Sequence, residues 1–492
     1  MIHCLKRVLL KNNISCRILL EGDPVNGQKP FPLLFLAGNA FSNENVLQKI
    51  QTCSAGSNSM VLSLELPGIN PSPAPVGELS ALLDQVLQCY RIDFERIYLA
   101  GDSTSEGISG ELMRRKNGLF AAVLLQKDPT GKTPSLPQQP SAQIHYCTQD
   151  ELVSAVQWLY SIRQRFCTSV PLPEKYGSIM LENDSFTCRI LPEGGGNIYS
   201  LRHKKSQTLL LREPHREEEL FHAPERFGIP VLFPPNRIRD GRFLFEGKSY
   251  SLPANQQPQN VHIHGVAVNR KWNLLRKTEN TAELLFIFDD NAPEYKSFPF
   301  DCRIRRCCEL KEYGLCDTVS ILNTGNKNMP LGLGFHTAFP AENATAQLGC
   351  AEKEIEIEKQ RFLPTGKLLP WGNIDPGKVF VPDEYALSFH TEAGFIRDDS
   401  AGRFHGAKLQ YASGTLRYIT DEKFKFWYVW NGGGSNRFLC LEPVSWMADA
   451  LNMKLPPEET GVRVLAPGKE LCFVNRIEFT PTATAGTGQT LQ

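Results

Sequence analysis

The sequence predicts two domains of different class: an α/β domain, then a larger all-β domain of sandwich type. Three observations predict this. At 492 residues the chain exceeds what one ordinary core supports, since single cores stop growing at ~250–300 residues. Up to residue 166, short apolar runs alternate with helix-spaced patterns. From 177 onward no long helical pattern occurs, and strand pairs around tight turns follow one another to residue 480.

In the first region P-L-L-F-L-A (32–37), S-M-V-L-S-L-E-L (59–66), R-I-Y-L-A-G (96–101), F-A-A-V-L-L-Q (120–126) and A-Q-I-H-Y-C (142–147) read as buried strands. Leu79, Leu82, Leu83, Val86, Leu87 and Tyr90 recur at helical spacing, as do Leu152, Val156, Leu159 and Ile162. Strand and helix in turn imply a mostly parallel sheet with helices on both faces. The proline-bearing stretch C-T-S-V-P-L-P-E-K-Y-G (167–177) reads as a linker over 167–176. Beyond it, R-F-L-F-E-G-K-S-Y-S-L (242–252) predicts a hairpin with Glu246-Gly247 at its tip. C-C-E-L-K-E-Y-G-L-C-D-T-V-S-I-L (307–322) predicts another, and E-L-L-F-I-F (283–288) and F-K-F-W-Y-V-W (424–430) predict further strands. Strands and turns over 177–480 match a large β-sandwich. The tail 481–492, P-T-A-T-A-G-T-G-Q-T-L-Q, is too small and polar to pack and is expected to be disordered.

Composition narrows the function. Basic and acidic side chains number 53 each, so there is no bulk electrostatic case for nucleic acid or membrane partners. Lys6, Arg7 and Lys11 interrupt every apolar run at the N-terminus, so no signal peptide or membrane span is expected there. The 14 cysteines are scattered, with one adjacent pair, Cys307–Cys308, and no C-x-x-C. Free thiols in a cytoplasmic protein are the expectation.

Two stretches far apart in the second region carry isolated polar groups in apolar surroundings: N-V-H-I-H-G (260–265) and C-L-E-P-V-S-W-M-A-D-A-L-N (440–452). Between them lies G-L-G-F-H-T-A-F (332–339). Histidines and a carboxylate in such segments are costly unless hydrogen-bonded or functional. An acid and a base on one cleft suit sugar ring-opening, which removes the anomeric hydroxyl proton and protonates the ring oxygen. Carboxylate and imidazole titrate near ~4.3 and ~6.5 and can exchange these roles.

Residues 177–480 resemble the aldose 1-epimerase (galactose mutarotase-like) family. The resemblance rests on motifs in order: N-R-I-R-D-G-R-F (236–243) with the G-K-S-Y hairpin (247–250), N-V-H-I-H-G with Trp272 downstream, and G-L-G-F-H-T-A-F. L-P-T-G (363–366), C-L-E-P (440–443) and V-L-A-P-G-K (464–469) follow. It implies a β-supersandwich and interconversion of the α and β anomers of an aldose. By the same resemblance Glu442 is the base at the anomeric oxygen and His336 the acid at the ring oxygen. His264, Arg237, Asn236 and, on a looser match in V-P-D-E-Y, Asp383 are substrate-binding. His262 lies on the same strand face as His264 and competes for its role. Arg237 competes between sugar and a carboxylate such as Asp240, and Trp272 reads as core. No cofactor and no metal are expected. Where free-sugar members carry H-G-G, this chain has His264-Gly265-Val266, and Val268 stands where sugar-phosphate members carry arginine. The expected partner is therefore a small unphosphorylated sugar.

Residues 1–166 resemble an α/β-hydrolase of esterase or depolymerase type. R-I-Y-L-A-G-D-S-T-S-E-G (96–107) places Ser103 at a nucleophile elbow, with the Thr104 N–H facing the oxyanion position. Ser105 replaces the second elbow glycine, and its Cβ is expected to crowd the strand–helix contact. Ala37-Gly38-Asn39-Ala40 stands at the oxyanion loop. No histidine occurs between 146 and 202, after the candidate acid Asp150, so the serine lacks its base. A degenerate scaffold is expected. Two other functions stay open: a carbohydrate esterase using Ser103 with the β-domain binding sugar, and a non-catalytic sugar-binding protein.

Overall fold

The fold is that of a computed structural model. In the first part of the chain the structure describes residues 3–9, 15–20, 31–38, 41, 46–47, 50, 60–65, 76–89, 92–115, 119–128, 130–132 and 143–162. In the second it describes 173 and 175–482, apart from 215, 257–258, 359, 373, 383–386, 399–401 and 433–437. Two compact units have their main boundary between Phe166 and Cys167.

Among its described residues the first unit holds a seven-stranded sheet. Its strands are β1 (His3–Leu9), β2 (Ser15–Leu20), β3 (Phe31–Ala37), β4 (Met60–Glu65), β5 (Ile92–Gly101), β6 (Ala122–Gln126) and β7 (Gln143–Cys147), in the order β1-β2-β4-β3-β5-β6-β7. The run β4-β3-β5-β6-β7 is parallel. β1 and β2 add an antiparallel edge, so the sheet is mixed. Successive side chains of a strand face opposite ways, and β3 follows this rule. Leu33 and Phe35 pack with Leu79, Leu83 and Leu112 of the helices Val76–Cys89 and Glu106–Arg115. Leu34 and Leu36 pack with Leu152, Val156 and Leu159 of the helix Leu152–Ser161. Helices thus cover both faces.

The second unit is built from antiparallel strands, with short helical turns such as Glu219–His222 and Pro457–Thr460. Among the described residues a nine-stranded and an eight-stranded sheet dominate, with a four-stranded sheet beside them. The hairpin Arg242–Phe245/Lys248–Ser251 turns at Glu246 and Gly247, as the sequence predicts. The strands Cys302–Lys311 and Gly314–Asn323 form the second expected hairpin. The final strand, Glu470–Pro481, reaches into the stretch expected to be a tail and pairs with Gly414–Thr420. Residues 483–492 lie outside the described residues.

In the nine-stranded sheet Arg306 is fully buried. It is held by Asp317 at 2.9 and 2.7 Å, and its third nitrogen donates to the carbonyls of Gly196 and Ile229 at 2.8 and 3.0 Å. This charge is paired, and it stitches the chain entering the site, near Ile229, to the sheet.

Candidate active site

The eight-stranded sheet carries the site. Phe438–Val444 pairs with Phe426–Trp430 on one side and with Gly334–Phe335 and Thr337–Pro340 on the other. Phe426–Trp430 pairs in turn with Ser388–Ala393. Register puts Glu442 opposite Tyr428, and Tyr428 opposite His390. Thr337 is opposite Leu441, so His336 falls beside Glu442 on its other flank. The result is a row across the sheet: His390, Tyr428, Glu442, His336.

The two residues expected to perform the chemistry meet in this row. His336 Nε2 lies 3.1 Å from Glu442 Oε1, and both side chains are 5% exposed. The His336 N–H donates to the Pro230 carbonyl at 3.1 Å, which fixes the residue between its strands. Burial pushes the Glu442 carboxyl up to about 8, against the pull of Arg237 and with Glu225 adding to the rise. Burial pushes the His336 imidazole down to about 3, with Arg237 and Arg226 adding to the fall and the Glu225 backbone opposing it. Both shifts disfavour charge. The contact is therefore a neutral hydrogen bond holding one proton, not a standing ion pair, and it titrates as a unit.

His264 stands over this pair, its ring 5.2 Å from that of His336 at 86°. Its backbone is left-handed, φ 64, just past the strand Val261–Ile263, and its N–H donates to the Asn236 carbonyl at 3.1 Å. Strand alternation therefore ends at Ile263, and His262 does not share the orientation of His264. His262 Nδ1 is instead bonded to the Pro253 carbonyl at 2.8 Å, and burial holds its imidazole down at about 4. The glycine of H-G is required here: a Cβ on Gly265, φ 75, would lie 2.0 Å from the Phe233 carbonyl oxygen.

Arg237 reaches the same pocket. Its Nε donates to Gln256 Oε1 at 3.1 Å and its guanidinium lies 5.3 Å from the Phe362 ring centre. Its charge is felt at His264, His336, His390, Tyr428 and Glu442, which puts it centrally among them. Asp240, the competing partner, is bonded to Arg361 at 2.9 Å and to Asn260 at 2.8 Å. Asn236, also left-handed at φ 57, uses its side-chain oxygen to accept from the Arg237 N–H at 2.9 Å; it shapes the turn that aims Arg237. Asp449 locks the other end of that strand. It donates its N–H to the Arg237 carbonyl at 2.6 Å and accepts from Arg239 N and Nε at 2.9 and 3.1 Å. Left-handed non-glycine residues concentrated in this way are a mark of functional sites. Trp272 is core: fully buried and stacked on Phe286. Asp383 lies outside the described residues.

Sequence reasoning misses His390, Tyr428, Trp430, Glu225 and Arg226. Trp430 stands 5.9 Å from the His336 ring, and the Arg226 guanidinium 5.6 Å from the Trp430 ring. Burial of Glu225 and Arg226 within Pro224–Arg226 has no sequence signal, because charged pairs in turns are ordinarily solvated. Tyr428 and His390 look like strand residues, and only the register aligns them with Glu442.

In the first unit, β5 ends at Gly101, a single helical turn spans Ser103–Ser105, and the helix begins at Glu106. Ser103 is exposed there. The Asp102 carboxylate accepts from both Thr104 N and Thr104 Oγ1, at 2.9 and 2.6 Å. Ser105 does not crowd the contact: its hydroxyl donates to the Ala37 carbonyl at 2.9 Å and accepts from Asp102 N at 3.0 Å. His145 stacks on Trp158 within 4.8 Å. Among the described residues no group of histidine, cysteine and carboxylate side chains is arranged to hold a metal, and no helix is long and apolar enough to cross a membrane.

The aldose 1-epimerase family profile matches residues 177–477, more than half of the chain. An uncharacterized protein of Escherichia coli, YphB, is 26% identical over 259 residues, covering 49% of this chain and 79% of that one. A crystal structure of a galactose mutarotase-like protein from Clostridium acetobutylicum superposes with a TM-score of 0.59 at 26% identity, over 64% of this chain and 98% of that chain. Galactose 1-epimerase from Lactobacillus acidophilus shares the fold, with a TM-score of 0.51 at 15% identity over 64% and 98% of the two chains.

Proposed function

The chain belongs to the aldose 1-epimerase family, and from that premise we propose that it interconverts the α and β anomers of an unphosphorylated aldose by general acid–base ring opening. The observation that carries this reading is the buried 3.1 Å contact between His336 and Glu442. When a cyclic sugar enters, the shared proton passes along that bond to His336, leaving Glu442 as the carboxylate that Arg237 favours. Glu442 accepts the proton of the anomeric hydroxyl while His336 Nε2 donates to the ring oxygen. The C1–O5 bond breaks, giving the open-chain aldehyde beside a protonated Glu442 and a neutral His336. That is the charge state burial favours, so the intermediate meets a relaxed site. Rotation about C1–C2 and return of both protons closes the other anomer. Proton count is conserved throughout, and none need be exchanged with water.

His264 and Arg237 hold sugar oxygens in this scheme. The His264 Nδ1 is buried with no hydrogen-bond partner among the described residues, and a buried nitrogen left in that state suits a ligand. Asp383 remains a candidate from sequence. The preference for an unphosphorylated sugar is supported by Val268, which is buried, and by Arg270, which is tied to Glu294. The first unit is read as a hydrolase-like scaffold without activity, since the Thr104 N–H needed for an oxyanion is already bonded to Asp102. Polarimetry of freshly dissolved pure anomers of several hexoses and pentoses tests the function. Acceleration above the buffer rate for at least one supports it, and none across the panel contradicts it.

A further inference from the structure

The row across the sheet extends past the acid–base pair, and its far end is unused by the mechanism above. His390 is 5% exposed and Tyr428 3%. Their rings are 3.7 Å apart at 62°. The Tyr428 hydroxyl accepts from the Ala448 N–H, which fixes the phenol and makes it a rigid backing for the imidazole. His390 Nδ1 is sealed from water without a hydrogen-bond partner among the described residues. Burial, with the Arg237 charge adding to it, holds this imidazole in its neutral form, well below the ordinary range. A sealed lone pair costs less than a sealed N–H, because orphaned acceptors are better tolerated than orphaned donors. The proton therefore sits on Nε2, which makes that nitrogen a hydrogen-bond donor.

Position then selects the atom it meets. Register neighbours lie ~4.5–5.5 Å apart between Cα atoms. Glu442 has His336 on one side and Tyr428, then His390, on the other. The anomeric carbon has two ring neighbours, O5 and C2. With O1 at Glu442 and O5 at His336, C2 is directed along the row toward Tyr428 and His390.

We infer that His390, held in place by Tyr428, donates a hydrogen bond to the hydroxyl at C2 of the sugar and so selects 2-hydroxy-aldoses over their 2-deoxy counterparts. This rests on the acid–base assignment of Glu442 and His336 proposed above. The bond does not change between cyclic and open forms, so it acts as positioning and discrimination, not as proton transfer.

The test pairs removal of the hydroxyl with removal of the imidazole. D-galactose and 2-deoxy-D-galactose, and D-glucose and 2-deoxy-D-glucose, are compared on the wild-type full chain, His390→Phe and His390→Asn. Anomerisation is read by polarimetry above the spontaneous rate, and binding by calorimetry. The wild type is expected to lose roughly 10- to 100-fold in kcat/KM without O2, the worth of one buried hydrogen bond left unmade. His390→Phe keeps a ring against Tyr428 and should treat each sugar and its deoxy form alike. His390→Asn, which can still donate, should recover part of the discrimination. If the two losses multiply in the double comparison, or if the wild type does not discriminate, the inference is overturned, and the second of these outcomes needs no folded variant. Discrimination in binding without turnover would overturn the mutarotase reading and leave His390 in its role. A wild type that neither binds nor turns over these sugars would overturn both.

Discussion

His336 Nε2 and Glu442 Oε1 stand 3.1 Å apart, with both side chains 5% exposed. Burial raises the carboxyl to about 8 and lowers the imidazole to about 3, so it favours the neutral form of both groups. The sign follows. As pH rises through about 8 Glu442 ionises, and the proposed scheme then lacks the proton that His336 would pass to the ring oxygen. As pH falls toward about 3 His336 becomes protonated while Glu442 stays protonated, and the proposed scheme has no base. The rate in the chemistry-limited regime is expected to be bell-shaped, with a broad plateau and an alkaline limb near 8. A profile still flat at pH ~9.5 would count against the pair.

His336→Asn removes the proposed ring-oxygen acid while leaving a polar side chain of smaller volume. Activity should fall about 10²–10⁴-fold, the ordinary worth of a general acid, with the thermal transition retained. Retention of most of the rate in a folded variant would move the acid to another residue, His264 first.

Asp317→Leu should destabilise the second unit by ~3–5 kcal/mol, because it leaves the Arg306 guanidinium buried and uncompensated. Arg306→Met combined with Asp317→Leu should recover much of that loss. Chemical denaturation of the three proteins decides it. A harmless single substitution would mean water reaches Arg306.

Residues 174–492 expressed alone should be soluble and unfold in one cooperative transition, since the β-strands there carry their own core. Aggregation of this fragment, with the full chain well behaved, would refute its independence.

Ser103 should not be a nucleophile. The Thr104 N–H that would stabilise an oxyanion is bonded to the Asp102 carboxylate at 2.9 Å, which also sets a negative charge beside Ser103. A fluorophosphonate probe should not label the protein, and acetylated sugars should survive. Labelling abolished by Ser103→Ala would instead make the first unit an esterase.

Much of the fold is legible in the sequence, for physical reasons. Continuous apolar runs and helical patterns place β3 to β7 and the helices around Leu79 and Leu152, because buried strands and amphipathic helices write their burial into the sequence. β1 and β2 are not legible: Lys6, Arg7 and Arg17 interrupt their apolar runs, as suits an antiparallel edge. His336 and Glu442 stand out as single polar residues in apolar strands. Their 3.1 Å contact does not, since register is a property of pairing. Strand alternation puts His262 and His264 on one face; the left-handed backbone at His264 breaks that alternation. Tyr428 and His390 are invisible for the opposite reason. Each is an ordinary strand residue until its neighbours across the sheet are known.

Glu442→Gln keeps the shape of the side chain and removes only its ability to take a proton, so it isolates the proposed base more cleanly than any other substitution. Freshly dissolved α-D-galactose, and the best aldose from the panel if different, is followed by polarimetry with equal amounts of wild-type and variant protein, with sugar binding measured alongside. Clear acceleration by the wild type is expected, with a fall of about 10²–10⁴-fold in the variant and binding weakened far less. A folded variant that retains most of the wild-type rate would remove Glu442 from the chemistry and contradict acid–base ring opening by this pair.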